Sequence, residues 1–181
     1  MLPEKIKRIA LIGPESSGKT TLCQQLAAHY KTLWIPEYAR GYMEKLNRKY
    51  TIEDILFTVE EQLKTEERLL QKANNFLFVD TEFIIAKIWC EDVFGFCPDW
   101  ISEKIEVNKY DLYLLTKPDL PWEQDAVRKN PNRRNYFYDL YLKEIETRKF
   151  NREIISGNGE ERFRNALNAV EKHCSAFNNK L

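Results

Sequence analysis

The stretch Gly13-Pro14-Glu15-Ser16-Ser17-Gly18-Lys19-Thr20 decides the fold of this 181-residue chain. It matches the pattern G-x-x-x-x-G-K-[ST], in which glycines let backbone N–H groups turn inward and form an anion nest. A β-branched, strand-like run (7–12) precedes it, and a helix-like run (19–30) follows it. Because the positive end of the helix dipole would add to the nest, the stretch predicts a phosphate-binding loop and not merely a glycine turn with a helix cap.

Each polar residue of this loop has an expected role. The Lys19 ammonium supplies a mobile charge for the β- and γ-phosphates of ATP, and the Thr20 hydroxyl is the expected protein ligand of Mg²⁺. A Gly157-Asn158-Gly159 turn near the other end of the chain is a candidate contact for the purine, or a simple connecting turn. The predicted nucleotide-binding residues are therefore Gly13, Glu15, Ser16, Ser17, Gly18, Lys19, Thr20, Thr21 and Asn158.

Hydrophobic periodicity predicts strands alternating with helices along the whole chain. The expected strands cover residues 7–12, 33–35, 76–79, 110–115 and 153–156, and a long helix opens at a capping-box-like Thr51. Such alternation implies parallel pairing through right-handed crossovers. We therefore expect a three-layer α/β P-loop NTPase fold with a mainly parallel sheet of about five strands. Residues 1–181 would form one domain, with a mobile lid at approximately 118–135.

Asp80 ends a continuous apolar run, Phe76-Leu77-Phe78-Val79, which is typical of a buried central strand. A rigid strand that aims one carboxylate at the metal shell is what a Walker B acid requires. Asp80 is therefore predicted to join Thr20 at the metal. Glu82 follows two residues later and either shares this site or starts the next helix, where a helix dipole favours an acid.

A second acid lies where the acceptor of a phosphoryl group would bind. Glu37 follows the second strand and should face the same sheet edge as the phosphate loop, where it would accept the proton of an attacking hydroxyl or bind the substrate hydroxyls. The alternative is a solvated acid that caps the helix that follows. Tyr38 and Arg40 belong to the same turn and are predicted substrate contacts. For Arg40 the alternative is a surface pair with Glu44, four residues along a helix.

The loop-rich stretch 118–135 gathers arginines in a segment that can close over the site. Arginines brought in by lid closure stabilise charge on the γ-phosphate oxygens, so Arg128, Arg133 and Arg134 are lid candidates. Trp122 and Asp125 could contact a flat cationic acceptor ring by stacking and charge, although Trp122 is as well suited to a core position.

Composition excludes several other classes of protein. Lysine plus arginine number 28 and aspartate plus glutamate number 28, which argues against a bulk electrostatic grip on nucleic acid or on a membrane. We expect no signal peptide and no membrane span, and hence a cytoplasmic protein. The four cysteines lack metal-ligand spacing and are expected to be reduced thiols.

The chain resembles the nicotinamide riboside kinase domain of NadR-type proteins over nearly its whole length. Four elements in order carry this resemblance: the phosphate loop 13–21, Glu37-Tyr38-Ala39-Arg40, Val79-Asp80-Thr81 and Pro121-Trp122. The resemblance implies ATP-dependent phosphorylation of the ribose 5′-hydroxyl of nicotinamide riboside, giving nicotinamide mononucleotide for NAD salvage. By position it also implies that Lys19, Glu37, Asp80 and Arg128 serve the reaction.

Two departures from the family pattern qualify this expectation. The longer NadR proteins carry DNA-binding and adenylyltransferase segments before this domain, whereas here the first strand starts close to Met1, so we expect neither segment. The lid has Asp125-Ala126 where Asp-Gly is expected. The sequence leaves open two alternatives, another P-loop nucleoside or nucleotide kinase and a nucleotide-dependent switch or AAA-like ATPase. It does not define the acceptor, the preferred phosphate donor or the oligomeric state.

Overall fold

The computed structural model describes residues 6–124 and 131–174. Its centre is a five-stranded sheet with the order β2-β3-β1-β4-β5, in which every neighbouring pair is parallel. The strands are β1 (Lys7–Ile12), β2 (Leu33–Ile35), β3 (Phe76–Asp80), β4 (Leu112–Thr116) and β5 (Arg152–Ile155). Because parallel strands point the same way, the phosphate loop, Glu37, Asp80 and the turn after β5 all follow strand ends at one edge of the sheet.

Helices cover both faces of the sheet, as the crossovers of a parallel sheet require. They are α1 (Lys19–His29), α2 (Tyr38–Met43), α3 (Ile52–Leu70), α4 (Phe83–Phe94), α5 (Asp99–Val107), α6 (Arg134–Thr147) and α7 (Gly159–Cys174), with a 3₁₀ turn at Pro131–Arg133 before α6. No helix within the described ranges is both long enough and apolar enough to cross a bilayer.

Strand β1 divides the hydrophobic core into two layers, since its side chains alternate between the two faces of the sheet. Ile9 and Leu11 pack in one layer with buried residues of α1 and α7. Ala10 and Ile12 pack in the other with buried residues of α3, α4, α5 and α6. Strand β3 is buried at all five positions, as its continuous apolar run indicates, so Asp80 is carried on a rigid support.

Several boundaries differ from the sequence-based expectation. Strands β4 and β5 begin at Leu112 and Arg152, shifted by one or two residues. The turn that carries Tyr38 and Arg40 is a helix, α2, which is too short to show a helical period in the sequence. Helix α6 starts at Arg134, inside the segment 118–135 that was predicted to form a lid.

Candidate active site

The phosphate loop is held against the end of β4 by a small hydroxyl cluster. Ser17 Oγ lies 2.7 Å from Thr116 Oγ1 and donates to the carbonyl of Pro14 at 2.7 Å. Gly13 adopts φ +153°, and a β-carbon at this position would lie 2.2 Å from Thr116 Oγ1. Glycine is therefore required here by both backbone conformation and close approach.

Lys19 and Thr20, at the start of α1, have different hydrogen-bond partners. The Lys19 ammonium donates to the carbonyls of Gly13 (2.8 Å) and Pro14 (3.0 Å), which keeps it folded over the loop. The Thr20 hydroxyl donates to Asp80 Oδ2 at 2.5 Å. This contact brings together the two residues that were predicted to serve a metal ion.

Asp80 has the chemistry that a magnesium site needs. Its side chain is fully buried, and in the described part of the chain its Oδ1 atom has no hydrogen-bond partner. Burial raises the pKa of Asp80, while the Lys19 ammonium and the Thr20 hydroxyl oppose the rise. Magnesium binds such sites through one or two carboxylates and substrate phosphates, so a hydroxyl and a carboxylate fit it. Within residues 6–124 and 131–174, no three His, Cys, Asp or Glu side chains are grouped so that they could hold a metal ion without the phosphates of a substrate.

A cavity of about 1020 Å³ opens beside the loop and runs between α3 and α4. Most of the predicted site residues line it: Gly13, Glu15, Ser16, Ser17, Gly18, Lys19, Thr20, Thr21, Glu37, Tyr38 and Arg40. Its far wall is aromatic, with Tyr50, Trp89 and Tyr141. A cavity of this size accommodates a nucleoside together with the phosphates of a nucleotide.

Glu37 is the carboxylate at the junction of the loop and this cavity. It is half-buried and caps no helix N–H through its side chain, although it precedes α2. Burial raises the pKa of Glu37 to about 7, and Asp80 adds to the rise while Lys19 and Arg40 oppose it. A carboxylate with a pKa near neutrality is well matched to general-base chemistry.

Gln62 of α3 joins the turn that carries Glu37 to the turn after Asp80. Its Oε1 accepts from the backbone N–H of Tyr38 at 2.9 Å, and its Nε2 donates to the carbonyls of Asp80 (3.3 Å) and Thr81 (3.4 Å). Thr81 has φ +73°, an unusual conformation for a β-branched residue that occurs mainly at functional sites. Sequence periodicity did not reveal Gln62, because a polar residue on a long helix has no distinguishing pattern.

The structure places some of the predicted residues apart from the cavity wall and gives Arg40 a second partner. Asp80 is behind the wall and reaches the site through Thr20, while Trp122 is half-buried and Asn158 lies on the turn after β5. Arg40 lines the cavity and also pairs with Glu44, with Nε 3.4 Å from Oε1. Asp125 and Arg128 fall outside the described residues.

The two described lid arginines have other partners in this structure. Arg133 forms a paired hydrogen bond with Asp92 of α4, at 2.8 Å from Nη1 and 2.5 Å from Nη2, and its guanidinium lies over the Tyr136 and Phe137 rings. Arg134 donates to the carbonyls of Leu120 (2.9 Å) and Ser16 (3.1 Å). It therefore contacts the backbone of the phosphate loop.

Arg162 of α7 is a functional candidate that the sequence did not indicate. It is 4% exposed and bonds to Ser17, Lys117, Asp119 and Gly157, which lie at three neighbouring strand ends. The only signal in the sequence would have been an arginine on the first turn of a helix that otherwise shows an apolar stripe.

This geometry defines a P-loop NTPase with a kinase-like fold, in which a phosphate loop and an acid-bearing cavity share one edge of a parallel sheet. The sequence model of the AAA_28 family, described as an AAA domain, matches residues 8–162. The chain belongs to that family.

Curated relatives carry the same domain within longer proteins. The trifunctional NAD biosynthesis/regulator protein NadR of Salmonella typhimurium (strain LT2) is 27% identical over 132 residues, and so is that of Escherichia coli (strain K12). Each match covers 70% of this chain and 32% of the relative, so the chain spans about a third of the length of these proteins. The resemblance to NadR-type kinase domains is confirmed.

Solved structures confirm the fold class. An NadR protein in complex with NR superposes with a TM-score of 0.75 at 21% identity, covering 93% of this chain and 51% of that one. Thymidylate kinase from Ehrlichia chaffeensis gives 0.63 at 14% identity, covering 92% and 97%, and deoxyadenosine kinase from M. mycoides gives 0.61 at 10%, covering 91% and 99%. Together with the NadR relatives, these neighbours support a phosphotransferase of the P-loop nucleoside kinase type.

Proposed function

We propose that this protein is an ATP-dependent kinase that phosphorylates the ribose 5′-hydroxyl of nicotinamide riboside, giving nicotinamide mononucleotide. The observation that carries the proposal is the placement of Glu37, which lines the same cavity as the phosphate loop and has a pKa raised to about 7. A nucleotide switch or a remodelling ATPase has no need of a base in a cavity large enough for an acceptor.

The charge of the cavity favours a cationic acceptor. Its lining includes the carboxyl groups of Glu15, Glu37 and Asp92, and also that of Glu82, whose pKa burial raises to about 8 so that it is largely protonated at neutral pH. Burial raises the pKa of the Tyr141 hydroxyl, and Glu37, Glu15, Glu82 and Asp92 raise it further when they are ionised, so these acids lie close to the aromatic wall. A positively charged pyridinium ring is attracted both by carboxylates and by aromatic faces. NadR, the curated relative, is named for NAD biosynthesis, and one NadR structure contains NR.

Each side chain has a defined task in the proposed transfer. Glu37 accepts the proton of the 5′-hydroxyl. At the same time the hydroxyl oxygen bonds to the γ-phosphorus of ATP, and the bond from this phosphorus to the β–γ bridging oxygen breaks. Lys19 and the loop amides bind the phosphates, and Thr20 and Asp80 would hold Mg²⁺. Bound Mg²⁺ supplies neutralisation of the charge that develops on the phosphate oxygens. Arg128 is the proposed lid arginine, and Tyr38, Arg40, Trp122 and Asp125 are the proposed contacts to the acceptor.

The proposal is tested by a product assay with Mg-ATP and matched acceptors. Nicotinamide riboside is compared with its reduced form, which has nearly the same shape but a neutral ring, and with thymidine and deoxyadenosine. We expect phosphorylation of the cationic nucleoside with a kcat/KM at least about tenfold above that of the neutral form, a difference of about 1.4 kcal/mol.

Two other outcomes would contradict the proposal in different ways. Turnover of thymidine or deoxyadenosine without turnover of nicotinamide riboside would assign the protein to another nucleoside kinase. Hydrolysis of ATP at a rate that no acceptor changes would favour the switch or ATPase alternative.

A further inference from the structure

Arg162 is a buried cation whose hydrogen bonds converge on the backbone outside the phosphate loop. One terminal nitrogen, Nη2, donates to the carbonyls of Ser17 and Lys117, each at 2.8 Å. The other, Nη1, donates to Asp119 Oδ1 and to the carbonyl of Gly157, each at 2.6 Å. Asp119 also accepts from the Gly157 backbone N–H at 2.9 Å, so the arginine is itself fixed in place.

The contact with Ser17 determines the direction of a loop amide. In a trans peptide the C=O and the following N–H point in opposite directions, and no described peptide bond is cis. When Arg162 holds the Ser17 carbonyl, the Gly18 N–H must point away from the arginine. Ser17 and Gly18 line the cavity whereas Arg162 does not, so an amide directed away from Arg162 can face the cavity.

Arg134 makes a contact of the same kind one residue earlier. Its donation to the Ser16 carbonyl at 3.1 Å turns the Ser17 N–H away from α6. Both arginines also hold carbonyls of the segment after β4, at Lys117 and Leu120. Two consecutive peptides of the phosphate loop are thus oriented from outside the site by cations on two different helices.

We infer that Arg162 is a positioning residue of the phosphate site, which preorganises the Gly18 amide by binding the Ser17 carbonyl. The inference rests on the phosphate-binding role of the loop and is independent of the acceptor. Amides that are aimed in advance need no reorganisation when phosphate charge arrives, and this is the main source of electrostatic stabilisation in such sites. The planar fork of arginine suits the task, since lysine presents one point charge and cannot hold four acceptors in fixed directions.

The experiment measures binding, so that it does not depend on turnover of any acceptor. Wild-type protein and Arg162→Lys are titrated calorimetrically with Mg-ATP and, separately, with magnesium tripolyphosphate, which has the phosphates without the nucleoside. We expect the Kd of both ligands to rise by the same factor, about tenfold or more, with a folded variant. The lysine keeps a cation opposite Asp119, which limits the loss of stability.

Arg8→Lys is the matched control. Arg8 is another largely buried arginine that donates to a backbone carbonyl, that of Asn108 at 2.9 Å, and pairs with a carboxylate, that of Glu66 at 3.0 Å. It lies at the opposite edge of the sheet, near the start of β1. We expect Arg8→Lys to lower stability while leaving both Kd values within about twofold.

Several results would overturn the inference. One is an unchanged tripolyphosphate Kd in folded Arg162→Lys. Another is weaker binding of Mg-ATP with unchanged binding of tripolyphosphate, which would place the effect at the nucleoside. The third is an equal loss of affinity in Arg8→Lys. Absence of tripolyphosphate binding to the wild type would remove the phosphate site itself and this role with it. If Arg162→Lys does not fold, Asp119→Asn loosens the arginine without removing it. A rise of about threefold in the tripolyphosphate Kd is then expected, and no rise would contradict the inference.

Discussion

At the scale of single residues, the site depends on two carboxylates in different surroundings. Asp80 is fully buried on a rigid strand and is bonded to Thr20, whereas Glu37 is half-buried at the cavity. Burial raises the pKa of both carboxylates, Asp80 adds to the rise at Glu37, and Lys19 opposes the rise at both.

Glu37 should control the pH dependence of turnover. The carboxylate must be ionised to accept a proton, so the rate is expected to fall as the pH drops below about 7. Glu37→Gln should lower kcat by roughly 10²- to 10⁴-fold and abolish this acidic limb, with little change in ATP affinity. Steady-state kinetics from pH 5 to pH 9 measure both effects. An acidic limb that persists in Glu37→Gln would remove this residue from the proton transfer.

The raised pKa of Glu37 also makes its contribution to folding stability depend on pH, and this dependence runs opposite to that of turnover. Because the folded-state pKa is higher than the ordinary value of 4.5, the protonated acid favours folding. This contribution is complete below pH 4.5 and is lost as the pH rises to about 7. An acid with the proposed proton-transfer role thus lowers stability at the pH where it would work.

Gly13→Ala should disable phosphate binding through steric contact. The added methyl group would lie 2.2 Å from Thr116 Oγ1 and 2.8 Å from the Thr116 carbonyl oxygen, on a residue with positive φ. We expect loss of detectable Mg-ATP binding in calorimetry and a destabilisation of about 2 kcal/mol in urea denaturation. Gly41→Ala is the control, since nothing lies within 4 Å of its added methyl group and alanine favours the helix. Equal behaviour of the two variants would contradict this account.

At the scale of elements, α2 and α3 are joined by one buried acid. Asp54 accepts from both terminal nitrogens of Arg48 (2.6 and 2.8 Å), from the Thr51 N–H (2.7 Å) and from the Tyr42 hydroxyl (2.8 Å). It therefore caps α3 and positions α2, which begins directly after Glu37.

Asp54→Ala should disturb the acceptor side more than the nucleotide side. The hydrogen bonds from Arg48, the largest cause, and from Thr51 and Tyr42 lower the pKa of Asp54. Its contribution to stability is therefore present above the ordinary pKa of 3.8 and is lost only at lower pH. At pH 7 we expect a lower urea midpoint, an acceptor KM raised severalfold and an almost unchanged KM for ATP. Glu60→Gln, an exposed change on the same helix, is the control. A rise in the KM for ATP alone would refute the assignment.

Sequence patterns predicted the elements with strong periodicity and missed those governed by tertiary contacts. The β3 run and the phosphate loop are recognisable because continuous apolar residues and fixed glycine spacing have direct structural causes. Helix α2 shows no period because it has only six residues, including Gly41, so the sequence offered it only as an alternative, through the possible Arg40–Glu44 pair. Gln62 and Arg162 are missed because their roles come from backbone carbonyls brought together only by the fold.

At the scale of the whole molecule, the parallel order of the sheet accounts for the site. Strand β1 lies in the middle, between β3 and β4, so the phosphate loop is flanked by Asp80 on one side and Thr116 on the other. Alternating strands and helices were sufficient to predict the parallel three-layer arrangement. They did not predict strand order, which depends on long-range packing.

Nucleotide binding should stabilise the entire fold, because the loop is tied to β3, β4 and α7. At a Mg-ATP concentration of 100 times its Kd, the free energy of unfolding should rise by about 2.7 kcal/mol, visible as a higher Tm. Lys19→Ala should lose most of this shift and all phosphoryl transfer. Lys64→Ala, which removes an exposed lysine of α3 paired with Glu61, should retain both. A full Tm shift in Lys19→Ala would mean that the nucleotide binds elsewhere.

Different elements of the chain form the proposed donor half and the proposed acceptor half of the cavity. The donor half is connected to β1, β4, β5 and α7. The opposite wall of the cavity comes largely from the connection between β2 and β3 and from the connection between β3 and β4. Substitutions that reshape those crossovers can therefore accumulate without loosening the grip on the triphosphate. A protein arranged in this way is free to exchange one nucleoside specificity for another and keep a single energy source.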